Sequence, residues 1–305
     1  AQVSIVKDTQ ASISMVIESG ADNVLNAAEI NQTHIHGAVQ GVEDGQIVTV
    51  LISDANGNQI SQQVTVMGGL WSIDAIDLSG LVEGELNAVA TVSDVAGNLA
   101  AATDDVIKDV LAKTAIIIKT NGDGLLNAEE SANATFLGAV KYVEDGAVVT
   151  VVVTDSAGNS ASGTAVVSGG VWQANGLDLT RFVDGPLTAT ATVTDQAGNI
   201  ASASDTVIKD VLSKLSVSIE TDGDNILNAA EVGAVTIFGR TLDVDDGELV
   251  SFQITDGVNT SEIFTAVVNG GQWSLAGLDL SGFNEGSLTV NASVEDIAGN
   301  TAHAS

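Results

Sequence analysis

Acidic side chains recur along this chain at a fixed interval. Glu29, Glu130 and Glu231 are spaced by 101 residues, as are Asp44, Asp145 and Asp246, and again Asp94, Asp195 and Asp296. Each of the last three opens a near-identical pentapeptide, DVAGN, DQAGN or DIAGN. Carboxylates gathered with few cations nearby raise one another's proton affinity and repel. Such grouping, repeated along a chain, makes sense if a hard divalent cation sits among the acids. Calcium takes about six to eight oxygens from carboxylates, amide side chains and backbone carbonyls, and those are the groups on offer. With no cysteine and three scattered histidines, zinc and copper are poor candidates. His34 and His36 read as ordinary strand residues, because the other copies carry Thr135, Leu137, Thr236 and Phe238 there.

The same interval organises the whole chain. Trp71, Trp172 and Trp273 keep it, as do the glycine pairs Gly68-Gly69, Gly169-Gly170 and Gly270-Gly271, so the 305 residues hold three copies. A period near ~100 is too long for a solenoid unit and fits a small domain that folds by itself. The boundaries are expected near 107/108 and 208/209, giving domains 1–107, 108–208 and 209–305. The junction strings SIVKD, DVIKD and TVIKD contain no flexible spacer, so one copy should run directly into the next.

Inside a copy the hydrophobic period is two. Ile47 to Ile52 and Ala147 to Val153 are β-branched runs, and Leu187 to Val193 alternates cleanly, as half-buried strands do. In the first copy this predicts strands A to G over 11–17, 31–39, 46–53, 59–66, 70–74, 85–93 and 98–107. The fold class is therefore all-β: three tandem Ig-like antiparallel Greek-key sandwiches in a linear array. The single tryptophan of each copy reads as a core plug. At most a turn is expected at Leu25 to Glu29.

Alternating chain direction sorts the loops to two poles. The B–C loop (Glu43, Asp44), the D–E loop and the F–G loop (Asp94 to Asn98) share the upstream pole with the incoming Asp8. The A–B loop (Asp22, Asn26, Glu29), the C–D loop and the E–F loop share the downstream pole, with Asp104 and Asp105 near it. Stacking then brings Asp109, Glu144, Asp145 and Asp195 to the first junction. The second should gather Asp205, Asp210, Asp245, Asp246 and Asp296. The first copy has Lys7 as its one basic residue, so almost no cation is expected among these acids. In the third A–B loop, Asp222, Asp224, Asn228 and Glu231 place oxygen donors at positions 1, 3, 7 and 10; the second has Asp123, Asn127 and Glu130. That spacing departs from the EF-hand, which needs Gly at position ~6 and a bidentate Glu at ~12. Metal binding at these residues stands beside a plainer reading, a solvated turn whose Asp and Asn cap their own backbone. Ligation by Asn98, Asn199 and Asn300, or by Asp54, Asp155 and Asp256, is less specific.

Composition narrows the function classes. Nine Lys and Arg against 40 Asp and Glu give a net charge of −31, which excludes nucleic acid and argues against an anionic membrane surface. There is no long apolar run and no signal peptide, so the sequence reads as a soluble internal fragment without direct membrane insertion. No Ser/His/Asp constellation recurs, so no enzyme is expected; Glu43-Asp44 mimics a glycosidase pair, but its recurrence in loops favours metal. Aromatics make up 3% of residues and form no repeated platform. An Ig-like module that itself grips a glycan or a host protein is therefore the second reading.

The strings VEDGQIVTVLISDANGN and GGLWSIDAIDLSGLVEGELNAVATVSDVAGN, followed by DVIKD, resemble the bacterial Ig-like extender repeats of giant RTX-type, biofilm-associated adhesins. The resemblance spans all three copies. It implies a monomeric stalk on the outer surface of a Gram-negative bacterium, exported by type I secretion within an outer-membrane-anchored parent protein. Its partners would be the neighbouring repeats, and Ca2+ would stiffen it so that it projects a distal adhesive domain for attachment or biofilm formation. The family's junction ligands carry over onto Asp8, Asp109 and Asp210 and onto the acids of the B–C and F–G loops.

Overall fold

A computed structural model describes residues 3–305. In the first repeat the strands are β1 (Ser12–Ile13), β2 (Val16–Ile17), β3 (Val24–Leu25), β4 (Thr33–Gln40), β5 (Ile47–Ser53), β6 (Gln59–Thr65), β7 (Leu70–Ile76), β8 (Gly84–Ser93) and β9 (Leu99–Lys108). One sheet joins β1, β2 and β7 to β4; the other has the order β3-β9-β8-β5-β6. The fourth long strand, β7, thus pairs with the first, β4, and the fifth, β8, with the second, β5, in an Ig-like Greek-key sandwich. The five-strand order recurs in the second repeat, and the third has the corresponding four strands.

Period-two patterning builds the core. Val48, Val50 and Ile52 on β5 and Leu86, Ala88, Ala90 and Val92 on β8 are buried, while their neighbours in sequence face outward. Three hydrophobic clusters result, each containing one tryptophan that is 3% exposed. Trp71 pairs in register with Gly37, Trp172 with Gly138, and Trp273 with Gly239. A Cβ at Gly37 would overlap the Ser14 carbonyl and crowd the indole, and the other two glycines are equally enclosed. The 101-residue recurrence of these glycines follows from the space that each tryptophan occupies.

Strand A differs from a continuous segment over 11–17. It is split into β1 and β2, which pair separately with β4. The two-residue β3 is a further addition. It lies parallel to the end of β9, Val24 opposite Ile107 and Leu25 opposite Lys108, and Leu125–Leu126 repeats the arrangement against Ile208 and Lys209. Fully buried Leu25 and Leu126 fasten this attachment. It brings the A–B loop beside the residue where one repeat hands over to the next. In the second repeat that loop continues into a short helix, α1 (Ala128–Ala132).

Candidate functional site: acidic junctions between repeats

The junctions are built on the F–G hairpin. Asp195 is 6% exposed and accepts from both the backbone N–H of Asn199 (2.7 Å) and its side-chain amide (2.8 Å). Asp94 with Asn98 and Asp296 with Asn300 do the same. The amide held in this way then bonds to the junction residue with its nitrogen and to the preceding repeat with its oxygen. Asn199 Nδ2 donates to the Asp109 carbonyl at 3.0 Å, while Asn199 Oδ1 accepts from Ala27 N–H at 2.9 Å. Asn300 bonds likewise to the Asp210 carbonyl at 2.9 Å and to Ala128 N–H at 2.8 Å. Asn199 and Asn300 are therefore direct bridges between repeats. Their signal in the sequence was the invariant fifth position of DxAGN.

The Asp109 and Asp210 carboxylates sit in the same junctions. Burial, then the negative charges of Asp195, Glu83 and Glu144, push the Asp109 carboxyl above the ordinary aspartate range, against a hydrogen bond from Leu111 N–H. Asp210 is raised in the same way, by burial and then by Asp296, Asp184 and Asp243. An open cleft of about 470 Å³ at the first junction is lined by Glu83, Asp109, Tyr142 and Glu144 among others. The two clusters combine acids from both sides of each junction, an E–F-loop acid upstream and B–C and F–G acids downstream. Of the expected junction acids, the structure gathers Asp109, Glu144 and Asp195 at the first junction and Asp210 and Asp296 at the second. Glu83 and Asp184, which share the 101-residue spacing, and Asp243 were outside the expected ligand set.

These acids are not free of cations, which corrects the expectation. Lys108 closes β9, is 4% exposed, and donates to the carbonyls of Ser79 (2.8 Å) and Leu81. Its Nζ lies 3.7 Å from Glu83 Oε1, and Glu83 Oε2 accepts from Val110 N–H at 2.9 Å. Lys209, 2% exposed, donates to the Phe182 carbonyl at 2.8 Å and to Asp184 Oδ1 at 2.9 Å. Both lysines are the K of VIKD. Placing the boundary one residue ahead of each hid them from the charge count of their own repeat.

Several expected ligands have other work. Asp104 Oδ2 accepts from Ile17 N–H and Asp205 Oδ2 from Ile118 N–H, each at 2.9 Å, and their other oxygens accept from the next backbone N–H. These residues sit inside their strands, four residues before the lysine that ends each one, and cap the second half of split strand A rather than the junction. Asp105 lies on the same strand and is exposed. Glu43 and Glu144 each accept from an F–G backbone N–H at 3.0 Å, tying the B–C loop to the F–G loop. Asp44, Asp145 and Asp246 accept from glycine-pair N–H groups of the D–E turn. Asp8 and Asp245 are exposed.

The A–B loops use their oxygens for capping. Asn127 is the N-cap of α1 and forms a reciprocal capping box with Glu130, which satisfies two backbone N–H groups that the helix end would otherwise leave bare. In the first and third loops the Asn26 and Asn228 N–H groups donate to Glu29 and Glu231, and their side chains accept from Ala28 and Ala230. Asp22, Asp123 and Asp224 accept from the residue two ahead, whereas Asp222 is exposed. Oxygens are nonetheless left over. A Cβ on Gly20 would lie 3.7 Å from Glu29 Oε1, and Glu231 Oε1 is buried without a partner.

The C–D acids are structural. Burial raises the Asp155 pKa, but hydrogen bonds from Asn159 and from the Val183 N–H outweigh it and bring the value to about 2. Asp54 and Asp256 make the same tie to the E–F loop.

No helix of the described residues is long and apolar enough to cross a membrane. No family model matches this chain, and no curated protein matches it significantly in sequence. Solved structures do. A tetra-tandem repeat from the extending region of a large adhesion protein is 27% identical, with a TM-score of 0.34, covering 97% of this chain and 73% of that one. A structure concerned with host cell surface retention of a 1.5-MDa bacterial ice-binding adhesin is 25% identical, with a TM-score of 0.44 and coverages of 98% and 96%. A Ca2+-stabilised adhesin that helps an Antarctic bacterium bind ice is 25% identical, with a TM-score of 0.41 and coverages of 97% and 72%. The chain is thus similar to tandem Ig-like repeats of large bacterial adhesion proteins.

Proposed function

We propose that this chain is an extender segment of a bacterial surface adhesin. Its three Ig-like domains, 1–107, 108–208 and 209–305, are held in line by bridging asparagines and stiffened by calcium at the junctions. The observation that carries this reading is the position of Asp109 and Asp210. Each is a partly buried carboxylate, raised by burial and by acids from both flanking repeats. Such a group is unfavourable alone and favourable beside a divalent cation.

The donor set fits calcium. Asp109 with Glu83, Glu144 and Asp195, and Asp210 with Asp184, Asp243 and Asp296, offer only oxygens. Bound there, the ion would supply charge neutralisation across two repeats. The chain's own part is to hold the acids in place: Lys108 and Lys209 anchor the E–F loops, and Asn199 and Asn300 fix the F–G loops against the repeat before. A second calcium position, within the A–B loops, is supported by the spare Oε1 atoms of Glu29 and Glu231. The sequence resemblance supplies the setting, a cell-surface stalk outside a Gram-negative bacterium, where millimolar calcium suits sites with Kd of ~10⁻⁴–10⁻³ M.

Thermal melting of the full chain tests this. Calcium in excess over its Kd should raise Tm by several degrees through mass action, about 3 kcal/mol at a hundredfold excess. Replacing Asp109→Asn and Asp210→Asn together should remove most of that rise. A wild-type Tm that is the same in calcium and in chelator overturns the proposal.

A further inference from the structure

Outside the junctions, one cluster in the first repeat has a different donor chemistry. His34 and His36 lie two apart on β4, so both side chains project from the same face of the sheet. Their rings stack with centroids 5.1 Å apart. Glu18 follows β2 and donates its N–H to the His34 carbonyl at 2.8 Å, which sets its side chain beside the pair. Glu18 Oε2 lies 3.1 Å from His34 Nδ1, and Glu18 Oε1 lies 3.6 Å from His36 Nδ1. One ligand atom from each of the three residues falls within 4.8 Å of the others.

Two further features point to a cation. His34 Nε2 is 2.9 Å from Asp74 Oδ1, so its proton is committed to that carboxylate. The remaining lone pair on Nδ1 then faces a carboxylate oxygen, an arrangement that requires a proton or a metal ion between them. The Nδ1 of His36 is buried and has no hydrogen-bond partner. Tetrahedral ligands at ~2.0–2.1 Å from zinc stand ~3.3 Å apart; the 3.1 Å between Glu18 Oε2 and His34 Nδ1 is of this size, and the three ligand atoms all lie within 4.8 Å of one another. A carboxylate behind a ligating imidazole is the usual outer partner that orients the ring. Asp74 is placed by a β-bulge opposite Thr33–Ile35, where Ala75 holds φ +57 at a position that is Gly176 and Gly277 in the other repeats.

We infer that Glu18, His34 and His36, with Asp74 behind His34, form a binding site for one divalent transition cation of the zinc class, separate from the oxygen-only junctions. The structure places both histidines inside strand β4, as expected; the proposed site would give these strand residues a second role. The site is confined to the first repeat: the second has Lys119, Thr135 and Leu137 at these positions, and the third has Thr236 and Phe238 in place of the histidines. Bound metal would pin the edge of split strand A to strand B. The proposal is independent of the stalk reading.

The test is a competition titration of Zn2+ against a chromophoric chelator, using the full chain in saturating calcium. One zinc per chain is expected to bind and to resist a hundredfold excess of calcium. The His34→Thr, His36→Leu double variant, which carries the residues of the second repeat, should weaken binding by at least about a hundredfold, and Asp74→Asn by about tenfold. Co2+ should give visible absorption bands of a nitrogen-containing tetrahedral site in the wild type and not in the double variant. Circular dichroism of the variant should match the wild type. Absence of zinc binding, displacement by calcium, or equal affinity in the folded double variant each overturns the inference.

Discussion

At the first junction Lys108 stands 3.7 Å from Glu83, whereas at the second Lys209 donates to Asp184 at 2.9 Å. The A–B loops differ in the same direction. Asn127 heads a capped helix and donates its side chain to the Ala298 carbonyl of the next repeat at 3.0 Å. Asn26 heads only a turn, and its amide comes near Gly198 without such a bond. The same recurrent strings therefore make a more directly bonded second junction and a more open first one. A repeat is set by its patterned residues, but the direct bonding of each joint depends on whether short side chains reach their partners. On this account the first joint depends more on calcium than the second.

The largest effects that sharpen this contrast involve the buried lysines. Lys209→Met leaves the buried Phe182 carbonyl without its donor and the partly exposed Asp184 without its cation, so urea unfolding should show a loss of about 3–4 kcal/mol after discounting for that exposure. Lys108→Met should cost about 2–3 kcal/mol, because Glu83 is farther away and keeps the Val110 N–H. Equal losses would erase the distinction between the joints.

Removing a bridging amide comes next. Asn199→Ala and Asn300→Ala each delete a buried hydrogen bond to aspartate, one to the junction carbonyl and one to the preceding repeat, a loss of about 2–3 kcal/mol by the same measurement. Each should also uncouple the unfolding of the repeats it joins. A third pair separates the loops. Asn127→Ala loses a helix cap and a cross-junction bond and should cost about 1–2 kcal/mol, against about 0.5–1 kcal/mol for Asn26→Ala.

The smallest expected effect is one of pH. Asp109 and Asp210 are raised in the folded chain, so in chelator they contribute stability below the unfolded value and lose it as pH rises through the folded one. In metal-free protein the contribution of these two groups to Tm should therefore fall as pH rises from below the unfolded value towards neutrality, and calcium should reverse that sign. Asp155 has the opposite sign: its contribution is complete above the unfolded value of 3.8 and lost as pH falls towards about 2. A calorimetric series across this range reads both.

Most of the sandwich was legible because alternation over seven to ten residues is a strong signal, as in β5 and β8. The recurrence of tryptophan with its facing glycine marked the core for a reason that the packing explains. What the sequence hid has common causes. The two-residue β3 has no periodicity to detect, yet it positions the A–B loop. Asp104 and Asp205 look like the junction acids in type, and only the break in strand A shows that they face Ile17 and Ile118. Lys108 and Lys209 lie on the far side of boundaries drawn by repeat spacing. The histidine cluster joins residues from three separate segments in one repeat, and a reading built on recurrence discards what occurs once.

The central claim is that calcium turns the first joint from a hinge into a strut. The chain has no cysteine, so spin labels can be placed singly at exposed Gln62→Cys and Ser162→Cys, in consecutive repeats. Pulsed electron-spin distance measurement between them should give a broad distribution in chelator and a narrow one in millimolar calcium, with Asp109→Asn remaining broad in both. A distribution of the same width with and without calcium would contradict the account.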